Sequence, residues 1–328
     1  MNYHSPEKVL KLARDFMECR ILLTGAELDL FTLLGRERLD LEGVADRTGT
    51  RTRGLAVLLD ALAAMGLLNK EGGLYSCPDD VRRVLSADSP VSVLPMVLHC
   101  VSLWERWSCL TEIVRGAECE FSPPFQKIDE LRAFIGAMHV VAAPLAPGIV
   151  SAVNPGGSRM LLDVGGASGT YTIAFLEAAA GMKATLFDRP PVVAMARERL
   201  EKAGLLDRVK LVAGDFYREE FPSGHDLAFI SAIIHQNSRE QNRDLFGKVF
   251  RALVKGGRVV IRDHVMDEDR VRPDAGAVFA VNMLVATAGG GTYTFAEIAE
   301  DLSQSGFSNI RLLKAGGHMD SLVEAFKD

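Results

Sequence analysis

Apolar residues in VLKLARDFMECRILLTGAELDLFTLL recur three and four positions apart, so the chain is expected to open in helix over residues near 7 to 34. LEGVADRTG predicts a short helix stopped by Gly49. RTRGLAVLLDALAAMG predicts an amphipathic one stopped by Gly66, because glycine takes the left-handed conformation that ends a helix. LLNK and LYSC flank the turn EGG and read as two short strands, with Gly72 and Gly73 supplying the positive φ angles. Helix, helix, helix, hairpin is the order of a winged helix-turn-helix.

Two helical stretches follow, VSVLPMVLHCVSLWERWSCLTEIVRG and DELRAFIGAMHVVAAPLAPGIVSAV, separated by CEFSPPFQKI, where Pro123 and Pro124 break the helix. After the turn NPGGS the period changes. The β-rich runs MLLDV, KATLF, RVKLV, DLAFIS and GRVVIR alternate with helices near 170 to 180, 190 to 204 and 239 to 254. Alternation of this kind means crossover units and an α/β fold, a largely parallel sheet covered on both faces. The tail, FAEIAEDLSQSGF then NIRLLKAGGHMDSLVEAF, reads as a helix and a hairpin adding an antiparallel edge. The organisation expected is residues 1–90, a connecting helical segment 91–150, and the sheet domain 151–328.

Composition narrows the function classes. With 48% hydrophobic and 24% charged residues the chain is an ordinary globular protein, and its net charge of −6 argues against a partner held by phosphate charge. A winged helix invites a DNA-binding reading, yet residues 1–90 hold 12 Lys or Arg against 14 Asp or Glu, and only Arg51 and Arg53 stand at the start of the would-be recognition helix. A DNA reader needs a basic face, so no nucleic-acid partner is expected. No apolar run reaches the length of a membrane span and MNYHSPEKVLKLARDF lacks a signal-peptide core, so a cytoplasmic protein without a membrane span is expected. Cys19, Cys77, Cys100, Cys109 and Cys119 show no metal spacing and read as reduced thiols, mostly buried.

The candidate chemistry sits at strand ends. MLLDV runs into GGASG and a helix, which sets Asp163, Gly165, Ala167 and Gly169 at alternate positions where the backbone must turn sharply and approach a ligand closely. Close-set small residues after an acid favour S-adenosylmethionine (SAM) over NAD, whose usual spacing is GxGxxG. Asp188, with Arg189 beside it, ends the second strand, where a carboxylate can accept both ribose hydroxyls. Asp215 and Phe216 follow the third, where an acid and an aromatic ring can hold adenine. In an α/β sheet the ligand crevice lies outside these carboxyl ends.

LLDVGGASGTYTIAFL, LFDRPPVV, VAGDFY, FISAIIHQNSREQNRDLFGKVFRALVKGGRVVIRDHV and GGGTYT together resemble the small-molecule O-methyltransferases of the caffeate and hydroxyneurosporene type. The resemblance implies a Rossmann-like, mostly parallel seven-stranded sheet preceded by a winged-helix, mainly helical dimerisation domain. It also implies a homodimer and transfer of a methyl group from SAM to a hydroxyl of a small aromatic or isoprenoid metabolite. It makes His235 the catalytic base, Asp263 the acid that holds it, and Ser231 a further cofactor contact. It places Met138, Met283 and Thr287 at the acceptor, with His139, Asn282, Trp104 and Trp107 nearby in sequence.

Two departures bear on the chemistry. Gln236 and Asn237 stand where many plant members have Asp-Trp, and Thr292 where they have a second carboxylate flanking the base. Relatives with degraded catalytic pairs carry out hydroxylation or decarboxylation with the same cofactor, and C- or N-methylation or a SAM-responsive DNA-binding role stay open on the residues alone. No metal is expected, since no third or fourth ligand accompanies Asp263 and His264 at a defined spacing.

Overall fold

The computed structural model describes residues 5–117 and 128–328, in two compact units, Met1–Glu105 and Arg106–Asp328. Cys119, Pro123 and Pro124 lie outside the described residues; of the other cysteines Cys77 is buried, Cys109 half-buried and Cys19 and Cys100 exposed, against the expectation that most are buried.

In the first unit, α1 (Pro6–Glu27), α2 (Leu30–Arg36), α3 (Leu41–Thr48) and α4 (Thr52–Ala64) precede the hairpin β1 (Asn69–Glu71) and β2 (Leu74–Ser76), then α5 (Asp79–Leu85) and α6 (Leu94–Ser108), whose last residues pass into the second unit. The helix expected over 7 to 34 is broken in two: Leu28 caps α1, and Asp29 turns into the left-handed region at φ 52°. Asp40 accepts the Gly43 N–H at 2.8 Å to start α3, and Gly49 at φ 65° ends it. Leu30, Phe31, Leu34, Val44, Leu55, Leu59 and Leu62 form the core. Val9, Leu12 and Phe16 on α1 stay half-exposed.

The second unit begins with the end of α6, α7 (Leu110–Val114), α8 (Ile128–Ala142) and α9 (Ala146–Val153). The sequence reads α8 and α9 as one run; they bend by 63°, with a proline in the first turn of α9. The chain continues β3 (Met160–Val164), α10 (Thr170–Ala178), β4 (Lys183–Asp188), α11 (Pro190–Lys202), β5 (Val209–Ala213), β6 (His225–Ser231), α12 (Arg239–Ala252), β7 (Leu253–Asp263) and β8 (Val265–Met266). It ends with α13 (Asp274–Ala286), β9 (Tyr293–Thr294), α14 (Phe295–Gln304), β10 (Ser308–Lys314) and β11 (Ser321–Phe326). Seven strands form one sheet in the order β10-β11-β7-β6-β3-β4-β5, the last five parallel and β10 and β11 antiparallel. The expected antiparallel hairpin thus supplies two strands, with β11 laid against β7. No single helix among the described residues is long and apolar enough to cross a membrane.

Side chains on a strand alternate between faces, and here each face has its own helices. Leu161, Leu186, Phe229 and Val260 pack under α9, α10 and α11 with Ile149, Phe175 and Leu200. Leu162, Ile230, Val259 and Ile261 pack under α12 and α14 with Leu245, Phe246 and Leu302. Two residues further along each strand, the α9–α11 face therefore ends in Asp163, Asp188, Ser231 and Arg262, and the opposite face of β7 ends in Asp263. Polar groups at those ends stand at the sheet's carboxyl edge, where the helices no longer cover them.

Glu324 on β11 is 0% exposed and accepts from Arg258 Nη1 of β7 at 2.5 Å and from Arg311 Nε of β10 at 2.8 Å. Arg258 also donates to the Val153 and Asn154 carbonyls that close α9. Cutting Glu324 back to Ala strands the largely buried Arg258, so Glu324→Ala is expected to lower the unfolding free energy in urea by about 3 kcal/mol. A loss below about 1 kcal/mol would show that Arg258 finds water or its two carbonyls sufficient.

Candidate active site

A cavity of ≈ 440 Å³ lies at the carboxyl ends of β3, β4 and β6, a size in the roughly 300–1,000 Å³ range of small-molecule sites. Asp163, Gly165, Ala167, Asp188, Arg189, Asp215, Phe216 and Ser231, picked out from separate segments of the sequence, all line it, and Met138 of α8 does too. Gly169 stands just behind it as the N-cap of α10, at φ 76°.

The turn after β3 is built around absent side chains. Gly165 has φ 65°, and a Cβ there would meet Ile233 Cδ1 at 2.7 Å; a Cβ on Gly166 would meet Leu186 Cγ at 2.6 Å and Asp163 Cγ at 3.1 Å. The Ala167 N–H that this turn exposes donates to Asp188 Oδ2 at 2.9 Å, while Arg189 N–H donates to Oδ1 at 2.7 Å. Burial pushes the Asp188 carboxyl upward against those two N–H groups. Each oxygen keeps a lone pair for a ligand. Asp163 accepts from the Thr172 hydroxyl at 2.5 Å, and burial, opposed by that bond and helped by the Asp188 charge, pushes its pKa up to about 6. Asp215 accepts its own loop's Tyr217 N–H at 3.0 Å. The Phe216 and Tyr217 rings lie 4.6 Å apart.

Beside the cavity, His235 Nδ1 faces both oxygens of Asp263, at 2.9 and 3.0 Å. Asp263 is 1% exposed. Burial raises its pKa, but the His235 charge and hydrogen bond and the His264 N–H outweigh burial and hold the carboxyl below its usual range. With the acid ionised, the neutral form of His235 carries its one ring proton on Nδ1 and keeps the Nε2 lone pair. The loop carrying His235 is pinned from several directions. Asn237, buried, accepts the Tyr217 hydroxyl at 2.6 Å, donates to Asn242 Oδ1 at 3.0 Å, and takes the Tyr293 hydroxyl on its carbonyl. Gly291 N–H donates to the His235 carbonyl at 2.8 Å, and Gly290 comes so close that a Cβ there would sit 2.4 Å from that oxygen. The Phe279 ring stands between the rings of His235, 4.9 Å away and edge-on, and His264, 5.0 Å away.

The acceptor-side residues are less tightly grouped. His139 lies on α8 with its ring engaged: Arg199 can only donate, so it donates to Nε2 at 3.1 Å, and Nδ1–H donates to Thr170 Oγ1 at 2.8 Å. Burial, then the Arg199 charge, pushes the His139 pKa down to about 4, so it stays neutral. Asn282 accepts the Trp107 indole N–H at 2.9 Å, which turns its NH₂ away from that ring. Met283 is buried. Thr287 caps α13: its hydroxyl donates to the Met283 carbonyl at 2.7 Å and accepts Gly290 N–H at 2.9 Å. Trp104 belongs to the first unit, where the Arg20 guanidinium lies 5.6 Å from its ring centre. Thr292 is buried, and its carbonyl accepts from Arg270.

Comparison with known proteins meets this geometry with a family. The model of the O-methyltransferase domain matches residues 121–308, and that of the O-methyltransferase dimerisation domain matches residues 10–83. The chain belongs to the O-methyltransferase family. Among its relatives is the tetracenomycin polyketide synthesis 8-O-methyl transferase TcmO of Streptomyces glaucescens, 30% identical over 95% of this chain and 94% of that one. Another is the 3-hydroxy-5-methyl-1-naphthoate 3-O-methyltransferase of Streptomyces sahachiroi, 29% identical over 94% and 91%. A solved structure of PigF with S-adenosylhomocysteine (SAH) matches with TM-score 0.87 and 27% identity, covering 98% of this chain and 100% of that one.

This O-methyltransferase is therefore a SAM-dependent enzyme, and its cavity suits that donor. Three carboxylates, Asp163, Asp188 and Asp215, line a space that a cationic sulfonium and ammonium can enter, and the Phe216 ring lies on the same wall. Sequence reasoning missed Ser168, Thr170, Tyr171 and Arg262, which also line the cavity. The one available signal was an arginine closing the apolar run GRVVIR.

Asp163 is half protonated near pH 6 in the free enzyme, and a cationic donor favours its ionised form. SAM affinity is accordingly expected to fall about tenfold between pH 8 and pH 5, with proton release on binding near pH 6, and Asp163→Asn should remove most of that step. Titration calorimetry in buffers of different ionisation enthalpy measures both; an affinity flat over this range would contradict the assignment.

Proposed function

We propose that this enzyme methylates a phenolic hydroxyl of a small aromatic metabolite of polyketide type, with His235 as general base and Asp263 as its partner. The observation that carries the proposal is the His235–Asp263 pair, which in the neutral imidazole leaves Nε2 as the acceptor, on a residue whose neighbour Gln236 lines the cavity. The aromatic substrate class is supported by TcmO and the naphthoate 3-O-methyltransferase, which match nearly the whole chain.

SAM, when bound, supplies a methyl group already activated on a sulfonium. The protein's residues therefore need only align the acceptor and take its proton. A phenol has a pKa near 10. A neutral imidazole whose Nδ1–H is held by a carboxylate accepts that proton at Nε2, and Asp263 then balances the imidazolium. Phe279 and the Gly290–Gly291 loop hold the ring and backbone of His235, so its direction is set from two sides. With Thr292 in place of a second carboxylate, the proton transfer falls on this one pair. Asn282, its carbonyl oxygen occupied by Trp107, presents NH₂ and suits an acceptor carrying a carbonyl or ether oxygen.

We further infer a homodimer. The matched dimerisation domain and the half-exposed Val9, Leu12 and Phe16 of α1 support it.

His235→Ala is expected to lower kcat by about 10²- to 10⁴-fold while SAH affinity stays within about threefold of wild type. The assay is mass analysis of products from a panel of aromatic phenols, in which each turnover adds one methyl group and yields one SAH. Normal turnover by the variant would remove His235 from the mechanism. Product formation without methyl gain would replace O-methylation with another SAM-assisted reaction.

A further inference from the structure

Two buried donor atoms on residues of the cavity wall, Arg262 Nε and the Tyr171 hydroxyl, make no hydrogen bond among the described residues. Arg262, 2% exposed at the end of β7, gives Nη1 to Ser231 Oγ at 2.8 Å, but its Nε has no hydrogen-bond partner among the described residues. Its guanidinium lies 5.3 Å from the centre of the Tyr171 ring; Tyr171 is 6% exposed, and its hydroxyl, near the Ser231 side chain, makes no hydrogen bond of good geometry among the described residues. Arg262, Tyr171 and Ser231 all line the cavity.

A guanidinium held out of water without an anion is costly, and no carboxylate among the described residues forms an ion pair with Arg262. Asp163 accepts from Thr172, and Asp320 is held by Lys314 Nζ at 2.7 Å and His318 N–H at 3.1 Å. The other cation on the wall, Arg189, is exposed. Arg262 is thus a buried positive charge on a wall otherwise lined by Asp163, Asp188 and Asp215. SAM carries two positive groups and a single anionic one, the carboxylate of its methionine half. The acids suit the former, and only a buried cation suits the latter.

We propose that Arg262, assisted by the Tyr171 hydroxyl, seats the methionine carboxylate of the donor. The assignment rests on the cavity being the SAM site. A planar guanidinium whose Nη1 is anchored on Ser231 offers Nε and its remaining N–H groups in fixed directions, and Tyr171 adds a donor from α10. Alternation along β7 adds a consequence. Arg262 points to the donor face and Asp263, the next residue, to the face carrying His235, so one strand end sets the positions of donor and base together.

Calorimetry with SAH and with its decarboxylated analogue tests this without turnover. Wild type is expected to bind SAH at least about 30-fold more tightly than the analogue, the scale of losing one partner of a buried charge pair. Arg262→Met should lose that preference, falling for SAH and changing little for the analogue. Arg262→Lys should keep part of it, and Tyr171→Phe should lose about three- to tenfold on SAH alone. Equal weakening of both ligands in Arg262→Met, or no weakening of either, overturns the assignment. If Arg262→Met does not fold, an undiminished preference in both Arg262→Lys and Tyr171→Phe overturns it. A wild type that binds SAH and the analogue equally sinks Arg262 alone; one that binds neither sinks the donor site itself.

Discussion

Asp263 keeps its charge while shut away from water because His235 and the His264 N–H surround it, and the arrangement of the site hangs on that balance. Burial alone would push the acid toward its protonated form, and a protonated acid would no longer fix the proton of His235 on Nδ1. The pair survives only at a fixed distance, which demands that the end of β7 and the loop after β6 hold still. β7 is locked between β6 and β11, and β11 is tied down in turn by Glu324 between two arginines. The loop is held by Asn237, a buried residue whose two side-chain ends and carbonyl are all engaged.

The cavity uses the opposite face of the same strands by the same alternation. Where the helices stop covering the sheet, an apolar side chain has nothing to pack against and polar ones become affordable. Asp163, Asp188 and Ser231 occupy those last inward positions, and Arg262 completes the row from β7. Glycines at 165 and 166 let the chain turn within contact of Ile233 and Leu186, which brings the β3 turn close to the loop after β6. The cavity and the His235–Asp263 pair thus lie on two sides of one sheet edge.

Much of this was legible in advance because it is local. Period-two runs ending in acid or glycine mark the carboxyl edge of a parallel sheet, and the turn chemistry of GGASG follows from residue type. Asp163, Asp188 and Asp215 could be named for that reason, and Ser231 through the family resemblance. The acceptor side was harder. His139, Thr287 and Asn282 stand at helical positions from which a side chain may turn either way in space, and in the structure His139 and Thr287 spend their polar atoms on Arg199, Thr170 and the end of α13. Asn237, read only as a departure from Asp-Trp, proved to be the hub of its loop.

The sequence by itself determined the order of elements, the strand ends at which polar chemistry could gather, and the family resemblance that made His235 and Asp263 a pair, since each of these depends on spacing or residue type along the chain. Only the tertiary structure decided which donors were left without partners, where α1 and α8 would break, and that β11 would insert beside β7. Those outcomes depend on what lies across from each group. A hydrogen bond satisfied by a residue a hundred positions away leaves no trace in local pattern.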